Sequence, residues 1–483
     1  MTALLFGMLS ALALPPVYAL PVLFLAIPGL LVLAGAQRSW RGAAWTGFWF
    51  GFGLHLIGLY WITEAILIEA ARFWWLVPLA VPGLAAVLAV FIAVPCALAR
   101  LVPAGWPRVL VFSGAWVLAD LLRQFVATGF PWNPLGSVWE LPGAPGDVFI
   151  QPAAWIGVHG LTLLTMLLAS TPILGRKAMA AGLAVLVIWA GFGAWRLSTT
   201  ASAPPGLTAV LVQEDSPEGQ VHDAQSAEQV FTRELSLTQQ GVAQAHGGRT
   251  VVVWAETASP YLLEADANAR AAIADVARGP ALIGSFVFDQ QQRPRNSLLA
   301  LAGAGPPVGR YDKWHLVPFG EYAPHWIPIA IPTLPGGGMA PGTGPETLHV
   351  PGLPPVGALI CYEAIFPGQI VDTADRPDWL VNITNDAWFG NSTGPRQHLA
   401  AVRMRAVEEG LPLMRAANTG ISAGFDAFGR ELGRLGMNRA GVLDIVIPGH
   451  LSPTPFARFG LSIPLVLALL VVVAGIGASR SRA

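Results

Sequence analysis

The sequence predicts a polytopic α-helical membrane domain of about eight transmembrane helices joined to a soluble α/β domain. Apolar residues make up 54% of the 483 residues and charged residues only 12%, whereas soluble domains carry about 25% charged residues. Of the 29 acidic residues, 24 lie between Pro205 and Pro448. Long apolar runs flank this polar stretch on both sides, which indicates membrane segments before and after it.

The apolar runs are long enough to cross a bilayer as helices, which takes about 20 residues. Seven of them precede the polar stretch and one follows it, at residues 3–14, 16–36, 43–67, 74–99, 109–126, 153–173, 178–195 and 460–478. The first run lacks the basic residues of a cleaved signal peptide, so we expect it to be retained. The prediction is an N-terminal bundle of about seven helices over residues 1–198 and a C-terminal helix over 458–479.

Arginine and lysine in the short loops predict the orientation, because they are enriched on the cytoplasmic side. With the N-terminus inside, the cytoplasmic loops carry Arg38, Arg41, Arg100, Arg108, Arg176, Lys177, Arg480 and Arg482, and the opposite loops carry Arg72, Arg123, Arg196 and Arg458. The polar stretch follows the seventh span, so it is predicted to lie outside the cytoplasm. Asp120 and Arg123 lie three residues apart and can pair on a helix, which lowers their cost in lipid.

Charge and cysteine content exclude several classes of protein. The net charge of -1 gives no basic surface for nucleic acid, so we expect no nucleic-acid partner. Cys96 lies in an apolar run and Cys361 in the polar stretch, which excludes a disulfide framework. The sequence has no CxxC motif and no dense Cys/His cluster, and we predict no metal and no cofactor.

The polar stretch predicts an α/β domain over residues 205–449, because short apolar or β-branched runs alternate with helix-prone segments. The predicted strands are 207–212, 250–254, 281–287, 297–302, 356–360, 379–383, 413–416 and 441–447, and the predicted helices are 224–240, 268–277, 366–374 and 396–409. A domain of this length can bury its own core.

Cys361 is a candidate nucleophile. It follows the predicted strand 356–360 and precedes a predicted helix. A thiol at that junction meets the helix dipole and free backbone N–H groups, both of which favour the reactive thiolate. The competing interpretation is a small buried hydrophobic residue, which cysteine often is.

Two other residues add to this candidate site. The chain has two lysines, Lys177 in a predicted cytoplasmic turn and Lys313 in the polar domain. Because the composition favours arginine, Lys313 indicates a site that needs a compact ammonium. The alternative is that a lysine occurs at this position by chance. Glu256 follows a predicted buried strand beside Trp254, where partial desolvation suits a general base, although an exposed loop acid fits the same position.

Together these residues form a nucleophilic set without histidine. The carboxylate would take the thiol proton, and the sulfur would attack an acyl carbonyl. Lys313 and a backbone N–H, that of Tyr362 by expectation, would hold the developing oxyanion.

These residues resemble the Glu–Lys–Cys triad of the nitrilase superfamily, in its chain order. The similar segments are 253–256, Lys313 with 318–321, 361–363, 385–390 and 415–420. With the flanking membrane segments and the motif at 129–136, nearly the whole chain resembles the apolipoprotein N-acyltransferase family. Ala255 departs from that family, which commonly has proline there, and this changes loop rigidity rather than chemistry.

The resemblance implies a four-layer αββα sandwich and a ping-pong reaction without a cofactor. Cys361 would take the sn-1 acyl chain of a phospholipid, phosphatidylethanolamine by expectation, as a thioester. The α-amino group of an apolipoprotein's N-terminal diacylglyceryl-cysteine would then accept the chain as an amide. The resemblance also implies the bacterial inner membrane, with the catalytic domain on the periplasmic side, and we expect a monomer.

The same resemblance assigns roles to the site residues. Glu256 would act as base and then as acid, and Lys313 would stabilise both tetrahedral intermediates. Glu321, the family's second glutamate, would position Lys313 or assist proton transfer. Tyr362 and Glu363 would be supporting residues.

Three other functions compete with this interpretation. Residues 420–424 match the GxSxG elbow of serine esterases, but the surrounding sequence predicts a hairpin instead. A membrane-tethered nitrilase-type amidase would need only one anchoring span, and the sequence predicts about eight. A non-enzymatic lipid-binding or transport module would have paired broken helices with intramembrane charges, and the sequence offers only Asp120 with Arg123. Acyl transfer in phospholipid vesicles would distinguish these functions.

Overall fold

The computed structural model describes residues 1–68, 70–217, 223–245, 248–324 and 338–480. The chain forms two compact units. The first consists of Met1–Thr199, Phe389–Met404 and Thr454–Ala483, and the second consists of Thr200–Trp388 and Arg405–Pro453.

The α-helices of the described residues are α1 (Thr2–Ala11), α2 (Leu23–Gly35), α3 (Trp40–Gly58), α4 (Ile62–Leu67), α5 (Ala70–Phe73), α6 (Val77–Arg100), α7 (Trp106–Arg123), α8 (Ala144–Phe149), α9 (Ala153–Ala169), α10 (Arg176–Leu197), α11 (Ala224–Gln244), α12 (Ala267–Ala277), α13 (Gly394–Glu409), α14 (Pro455–Phe459) and α15 (Ser462–Arg480). The strands are β1 (Leu207–Gln213), β2 (Arg249–Val253), β3 (Ala281–Phe288), β4 (Pro294–Leu301), β5 (Gly309–Asp312), β6 (Thr347–Leu348), β7 (Val356–Ile360), β8 (Trp379–Thr384), β9 (Leu413–Ala417), β10 (Ser422–Phe425), β11 (Glu431–Leu435) and β12 (Gly441–Val446).

The first unit is helical, and small residues let its helices approach closely. Helix α3 packs on α1 and α6, and α7 packs on α6, α9 and α15. A Cβ atom built on Gly114 of α7 would lie 2.7 Å from the backbone oxygen of Ala468 in α15, so only glycine fits at this crossing. Such small-residue contacts are typical of helices that associate in lipid.

Three helices among the described residues are long and apolar enough to cross a membrane. They are Trp74–Arg100, Arg176–Leu197 and Ser462–Arg480. The predicted span 43–67 is interrupted, because α3 ends at Gly58 and α4 begins at Ile62. The number of about eight transmembrane helices therefore stays a prediction.

The predicted ion pair in the membrane domain is confirmed. Arg123 Nη2 lies 3.2 Å from Asp120 Oδ1 on α7, and Arg123 Nη1 also donates to the backbone oxygen of Trp132 at 3.1 Å. Both side chains are buried, so the pair neutralises two charges inside this unit.

The second unit contains two six-stranded sheets. Their strand orders are β12-β1-β2-β3-β4-β5 and β11-β10-β9-β8-β7-β6. Three parallel strands run through each sheet, β1 to β3 in the first and β7 to β9 in the second. Apolar side chains from both sheets form one shared core, and a second core lies between the first sheet and helices α11 and α12. The α/β domain, with two stacked sheets and an outer helical layer, is thus confirmed.

All the predicted strands occur, and β10 is the second strand of the predicted hairpin. Strands β5, β6 and β11 were missed because they are short or lack a continuous apolar run. Three of the predicted helices are confirmed as α11, α12 and α13. The helix predicted at 366–374 is wrong. A 3₁₀ helix, Cys361–Ile365, occupies the position just before it, and Pro367 with Gly368 (φ 70°) prevents a continuation.

Candidate active site

The candidate side chains follow the carboxyl ends of strands, where ligand sites in α/β proteins usually form. Lys313 is the first residue after β5, Cys361 the first after β7, and Asn385 the first after β8. Glu256 comes three residues after β2. Glu256, Lys313 and Cys361, which were predicted to lie at strand ends, are brought to one site by the structure.

The Lys313 ammonium lies between two carboxylates. Its Nζ atom is 3.0 Å from Glu256 Oε1 and 2.7 Å from Glu321 Oε1. Lys313 is only 1% exposed. Burial lowers the pKa of Lys313, but the attraction of Glu256 and Glu321 outweighs burial and holds that pKa well above its usual value. The ammonium therefore keeps its charge throughout the physiological pH range.

Both carboxylates are fixed by further donors. Asn296 Nδ2, on β4, donates to Glu256 Oε1 at 2.7 Å and to Glu321 Oε1 at 3.2 Å. The backbone N–H of Asn385 donates to Glu256 Oε2 at 2.7 Å, and that of Val317 donates to Glu321 Oε2 at 2.7 Å. Every carboxylate oxygen of this pair has a donor, so both side chains are held in one orientation.

The backbone that carries Glu256 rests directly on β3. A Cβ atom added to Gly284 would lie 2.1 Å from the Ala255 oxygen and 2.6 Å from the Thr257 nitrogen. The neighbouring residue Thr257 has a positive φ of 49°, which indicates a tight turn. Gly284 thus allows the close approach that places Glu256 beside Lys313.

Trp254 does not form the environment of Glu256, contrary to the expectation from the sequence. Its indole lies in the outer core with Phe231, and Trp254 Nε1 donates to Thr238 Oγ1 at 2.9 Å. Polar groups of Lys313, Asn296 and Asn385 surround the carboxylate instead.

The Cys361 thiol is buried and 6% exposed. Burial raises the pKa of Cys361, the negative charge of Glu256 raises it further, and Lys313 opposes both. The expectation of a thiolate stabilised by a helix dipole is therefore wrong, because the following helix is a single 3₁₀ turn. The φ of Cys361 is 49°, a strained value for a residue with a side chain, of the kind found at functional sites.

Glu363 links the ends of β5 and β7. Its Oε1 accepts from the Trp314 N–H at 2.8 Å, and its Oε2 accepts from the Ile360 N–H at 2.6 Å and the Tyr311 hydroxyl at 2.8 Å. Burial raises the pKa of Glu363 to about 7. Since Lys313 precedes Trp314 and Cys361 follows Ile360, this carboxyl fixes the spacing of the cation and the thiol.

Tyr362 packs against the same site. Its ring makes an edge contact with Phe366, with centroids 5.2 Å apart. Burial raises the pKa of the Tyr362 hydroxyl, which therefore stays protonated. Lys313 and Glu321 also act on this hydroxyl electrostatically, which places it near the cation.

The GxSxG match does not form a nucleophile elbow. Ser422 lies in β10, which pairs antiparallel with β9 as the sequence predicted. The side chain is fully buried, and its Oγ donates to Gln213 Oε1 at 2.7 Å. The hydroxyl has a structural role in the sheet, which argues against a serine esterase.

The motif at 129–136 has a structural role within the first unit. Trp132 Nε1 donates to Gln397 Oε1 at 2.8 Å, and Asn133 Nδ2 donates to the same oxygen at 3.1 Å. Trp132 also packs against Trp61 and Phe389, with centroid distances of 4.6 and 6.0 Å. The motif thus holds the segment Phe389–Met404 in this unit.

Sequence reasoning missed several residues of the site. Asn296 lies in the middle of a strand and carries no sequence signal of its own. Thr384, Asp386 and Arg415 lie in or beside the segments quoted for the family resemblance, but no role was assigned to them. Among the described residues, no group of three or more His, Cys, Asp or Glu is arranged to hold a metal ion.

Comparisons with known proteins match both parts of the chain. The family model for the apolipoprotein N-acyltransferase N-terminal domain matches residues 6–171, and the carbon-nitrogen hydrolase model matches residues 219–451. The chain is 38% identical to an apolipoprotein N-acyltransferase of Rhodopseudomonas palustris, over 98% of this chain and 93% of the relative. It is 40% identical to one of Bradyrhizobium diazoefficiens, over 99% and 94%. Among solved structures, an amidase from Nesterenkonia sp. matches 52% of this chain and 94% of its own, with 18% identity and a TM-score of 0.36.

Gly284→Ala is expected to destabilise the second unit by about 1–3 kcal/mol, because the new methyl group meets backbone atoms that cannot move independently. The measurement is the thermal unfolding midpoint in detergent. Gly303→Ala is the matched control, since a Cβ atom there meets nothing within 4 Å. Equal midpoints for the two variants would contradict the close approach at Gly284.

Proposed function

The chain belongs to the apolipoprotein N-acyltransferase family and is an N-acyltransferase, and from this membership we propose its substrates and mechanism. It transfers a fatty acyl chain from a phospholipid, the sn-1 chain of phosphatidylethanolamine, to the α-amino group of diacylglyceryl-cysteine on an apolipoprotein. This is the last step of bacterial lipoprotein maturation. The observation that carries the proposal is the buried Glu256–Lys313–Glu321 network, which acts electrostatically on the Cys361 thiol.

In the first half-reaction, Cys361 is the nucleophile and Glu256 the general base. The thiol is protonated at neutral pH, so Glu256 takes its proton as sulfur attacks the ester carbonyl. Lys313 and the Tyr362 backbone N–H stabilise the resulting oxyanion. Glu256 then returns the proton to the departing lysophospholipid oxygen as the ester C–O bond breaks, which leaves a thioester on Cys361.

In the second half-reaction, the acceptor amine replaces the phospholipid. Glu256 takes a proton from the amine as nitrogen attacks the thioester, and Lys313 stabilises the second oxyanion. The C–S bond then breaks and the sulfur regains a proton, which releases the amide. A thioester retains the acyl-transfer potential of the ester, so this sequence needs no nucleotide, and we propose that it needs no cofactor.

Glu321, Tyr362 and Glu363 support these steps. Glu321 positions the Lys313 ammonium through its 2.7 Å contact. Glu363 holds the loops on either side of the site by its bonds to the Trp314 and Ile360 N–H groups. Tyr362 presents its backbone N–H next to the sulfur and fills the site wall with its ring.

The membrane domain keeps both substrates in the bilayer. We propose that residues 1–198 and 458–479 cross the inner membrane about eight times and that residues 205–449 form the catalytic domain on the periplasmic side. Moving a chain of roughly 16 carbons into water would cost about 0.8 kcal/mol per CH₂ group. A monomer seated in the membrane avoids this cost by taking the chain directly from a neighbouring lipid.

Cys361→Ala is expected to abolish acyl-enzyme formation, because no other residue of the site carries a thiol. Purified protein is incubated with phosphatidylethanolamine vesicles, and mass spectrometry of its peptides locates the acyl adduct. A diacylglyceryl-cysteine peptide is then added, and the adduct should disappear as the amide forms.

The matched control is Cys96→Ala, which removes the other cysteine and should keep the adduct. An adduct on a residue other than Cys361, or full activity in Cys361→Ala, would overturn the assignment. Release of free fatty acid in place of the amide would indicate the amidase-type hydrolase.

Glu256→Gln is expected to slow thioester formation by about 100-fold or more, because the thiol loses its proton acceptor. The rate is measured by single-turnover acylation of detergent-solubilised protein. Glu264→Gln serves as the control, since Glu264 is exposed and its carboxylate pairs with Arg310, away from Lys313. A Glu256→Gln rate within threefold of the control would show that another group is the base.

The proposed orientation predicts which cysteines an impermeant maleimide can label in spheroplasts. In a background of Cys96→Ala and Cys361→Ala, Gln290→Cys in the exposed β3–β4 turn should react in intact spheroplasts. Lys177→Cys in the predicted cytoplasmic turn should react only after permeabilisation. The reverse pattern would place the catalytic domain in the cytoplasm.

A further inference from the structure

A second charged network lies on β8 and β9, in the same sheet as β7, the strand that precedes Cys361. It takes no part in the proposed mechanism. Arg415, on β9, is fully buried. Its Nη2 is 2.6 Å from Asp386 Oδ2, its Nη1 donates to Asn382 Oδ1 at 2.6 Å, and its Nε donates to the Ile421 backbone oxygen at 3.1 Å. A buried guanidinium with three different partners is a fixed, oriented cation.

Asp386 is held at both oxygens. Its Oδ2 faces Arg415, while its Oδ1 accepts from the Thr384 hydroxyl at 3.3 Å. A Cβ atom added to Gly420 would lie 2.2 Å from Asp386 Oδ2, so Gly420 leaves just enough room for the carboxylate. This close contact gives Gly420, the first glycine of the GxSxG match, a structural role that is independent of any esterase activity.

Thr384 connects this pair to the nucleophile. Strands β7 and β8 are parallel with Ile360 opposite Ile383, so the next residues along them, Cys361 and Thr384, lie side by side. The Thr384 side chain is hydrogen-bonded to the thiol. The hydroxyl thus has two possible acceptors for its single proton, the sulfur and the Asp386 carboxylate.

We propose that Thr384 is a positioning residue whose hydroxyl proton is shared between Asp386 and the Cys361 sulfur, and that Arg415 sets this balance by neutralising Asp386. With the thiol protonated, S–H donates to Thr384 Oγ1, and the hydroxyl donates to Asp386. When Glu256 removes the thiol proton, the hydroxyl turns and donates to the sulfur anion. This inference rests on the proposed role of Cys361 as nucleophile.

The charges around the sulfur favour a hydrogen-bond donor that can turn towards it. The groups that act on it are Glu256 after β2, Lys313 after β5 and Asp386 after β8. Two of the three are negative and oppose an anion on sulfur. A donor that reaches the sulfur only when it is needed stabilises the anion formed in the reaction without holding a permanent thiolate.

The test is the rate of alkylation of Cys361 by iodoacetamide, in a Cys96→Ala background where it is the sole cysteine. Below the thiol pKa this rate follows the thiolate fraction, so each unit of pKa changes it tenfold. The rate is followed from pH 7 to pH 9 by mass spectrometry for Thr384→Val, Thr384→Ser and Asp386→Asn.

Thr384→Val should slow alkylation by about tenfold, because the sulfur anion loses a donor. Thr384→Ser should restore the rate to within about threefold. Asp386→Asn should accelerate alkylation by about tenfold, because a negative charge is removed and the hydroxyl no longer has a competing acceptor. A merely structural role would change the three rates in the same direction.

Asp426→Asn is the matched control, since Asp426 also pairs with an arginine at 2.6 Å but does not act on the thiol. If Asp386→Asn fails to fold, the comparison of Thr384→Val with Thr384→Ser decides the question, because both replacements are close in size to threonine. Equal rates for these two would overturn the proposal. Alkylation requires no lipid, so a failure of the proposed acyl transfer would appear separately, in the adduct experiment on Cys361→Ala.

Discussion

The contact of the Lys313 ammonium with Glu256 and Glu321 is the interaction on which the site depends. A charge buried to this extent is tolerated only when it is paired and hydrogen-bonded. Each of the three groups satisfies the others, and Asn296 binds both carboxylates. Removing Lys313 would leave two buried carboxylates without a cation, and an uncompensated buried charge costs about 3–5 kcal/mol. The ends of β2 and β5 are therefore linked by electrostatics as well as by the core of the sheet.

This arrangement explains why a raised thiol pKa is compatible with catalysis. Lys313 attracts negative charge, but its neighbouring carboxylates cancel most of that attraction before attack begins. In the proposed mechanism, charge on the sulfur and on the carbonyl oxygen develops only while Glu256 holds the proton and one carboxylate is neutral. At that moment the ammonium is no longer fully compensated, so it stabilises the transition state more than the resting enzyme. A resting thiol that is protonated and 6% exposed is also protected from oxidation.

Glu256 and Cys361 could be predicted from the sequence by the pattern of continuous apolar runs that precede them, and β7 was predicted with the bounds that the structure has. Lys313 was singled out by composition instead, because the chain has only two lysines. The pattern failed where tertiary contacts decide the structure. Asn296 resembles any polar residue in a strand until the pairing of β4 with β5 brings it to Lys313. The helix expected at 366–374 is absent because Pro367 and Gly368 prevent it. The prediction followed the composition of this segment and gave too little weight to these two residues.

The buried position of the site also bears on how acyl transfer could prevail over hydrolysis. In the proposed mechanism, a nucleophile that attacks the thioester on Cys361 gives its proton to Glu256, whose carboxylate is enclosed by Asn296, Lys313 and Asn385. The proposed acceptor carries its own acyl chains, which confine it to the same bilayer as the enzyme. Such confinement raises the effective concentration of the amine without any new contact. In the proposed mechanism, the selection of amine over water therefore comes from the membrane domain as much as from the catalytic residues.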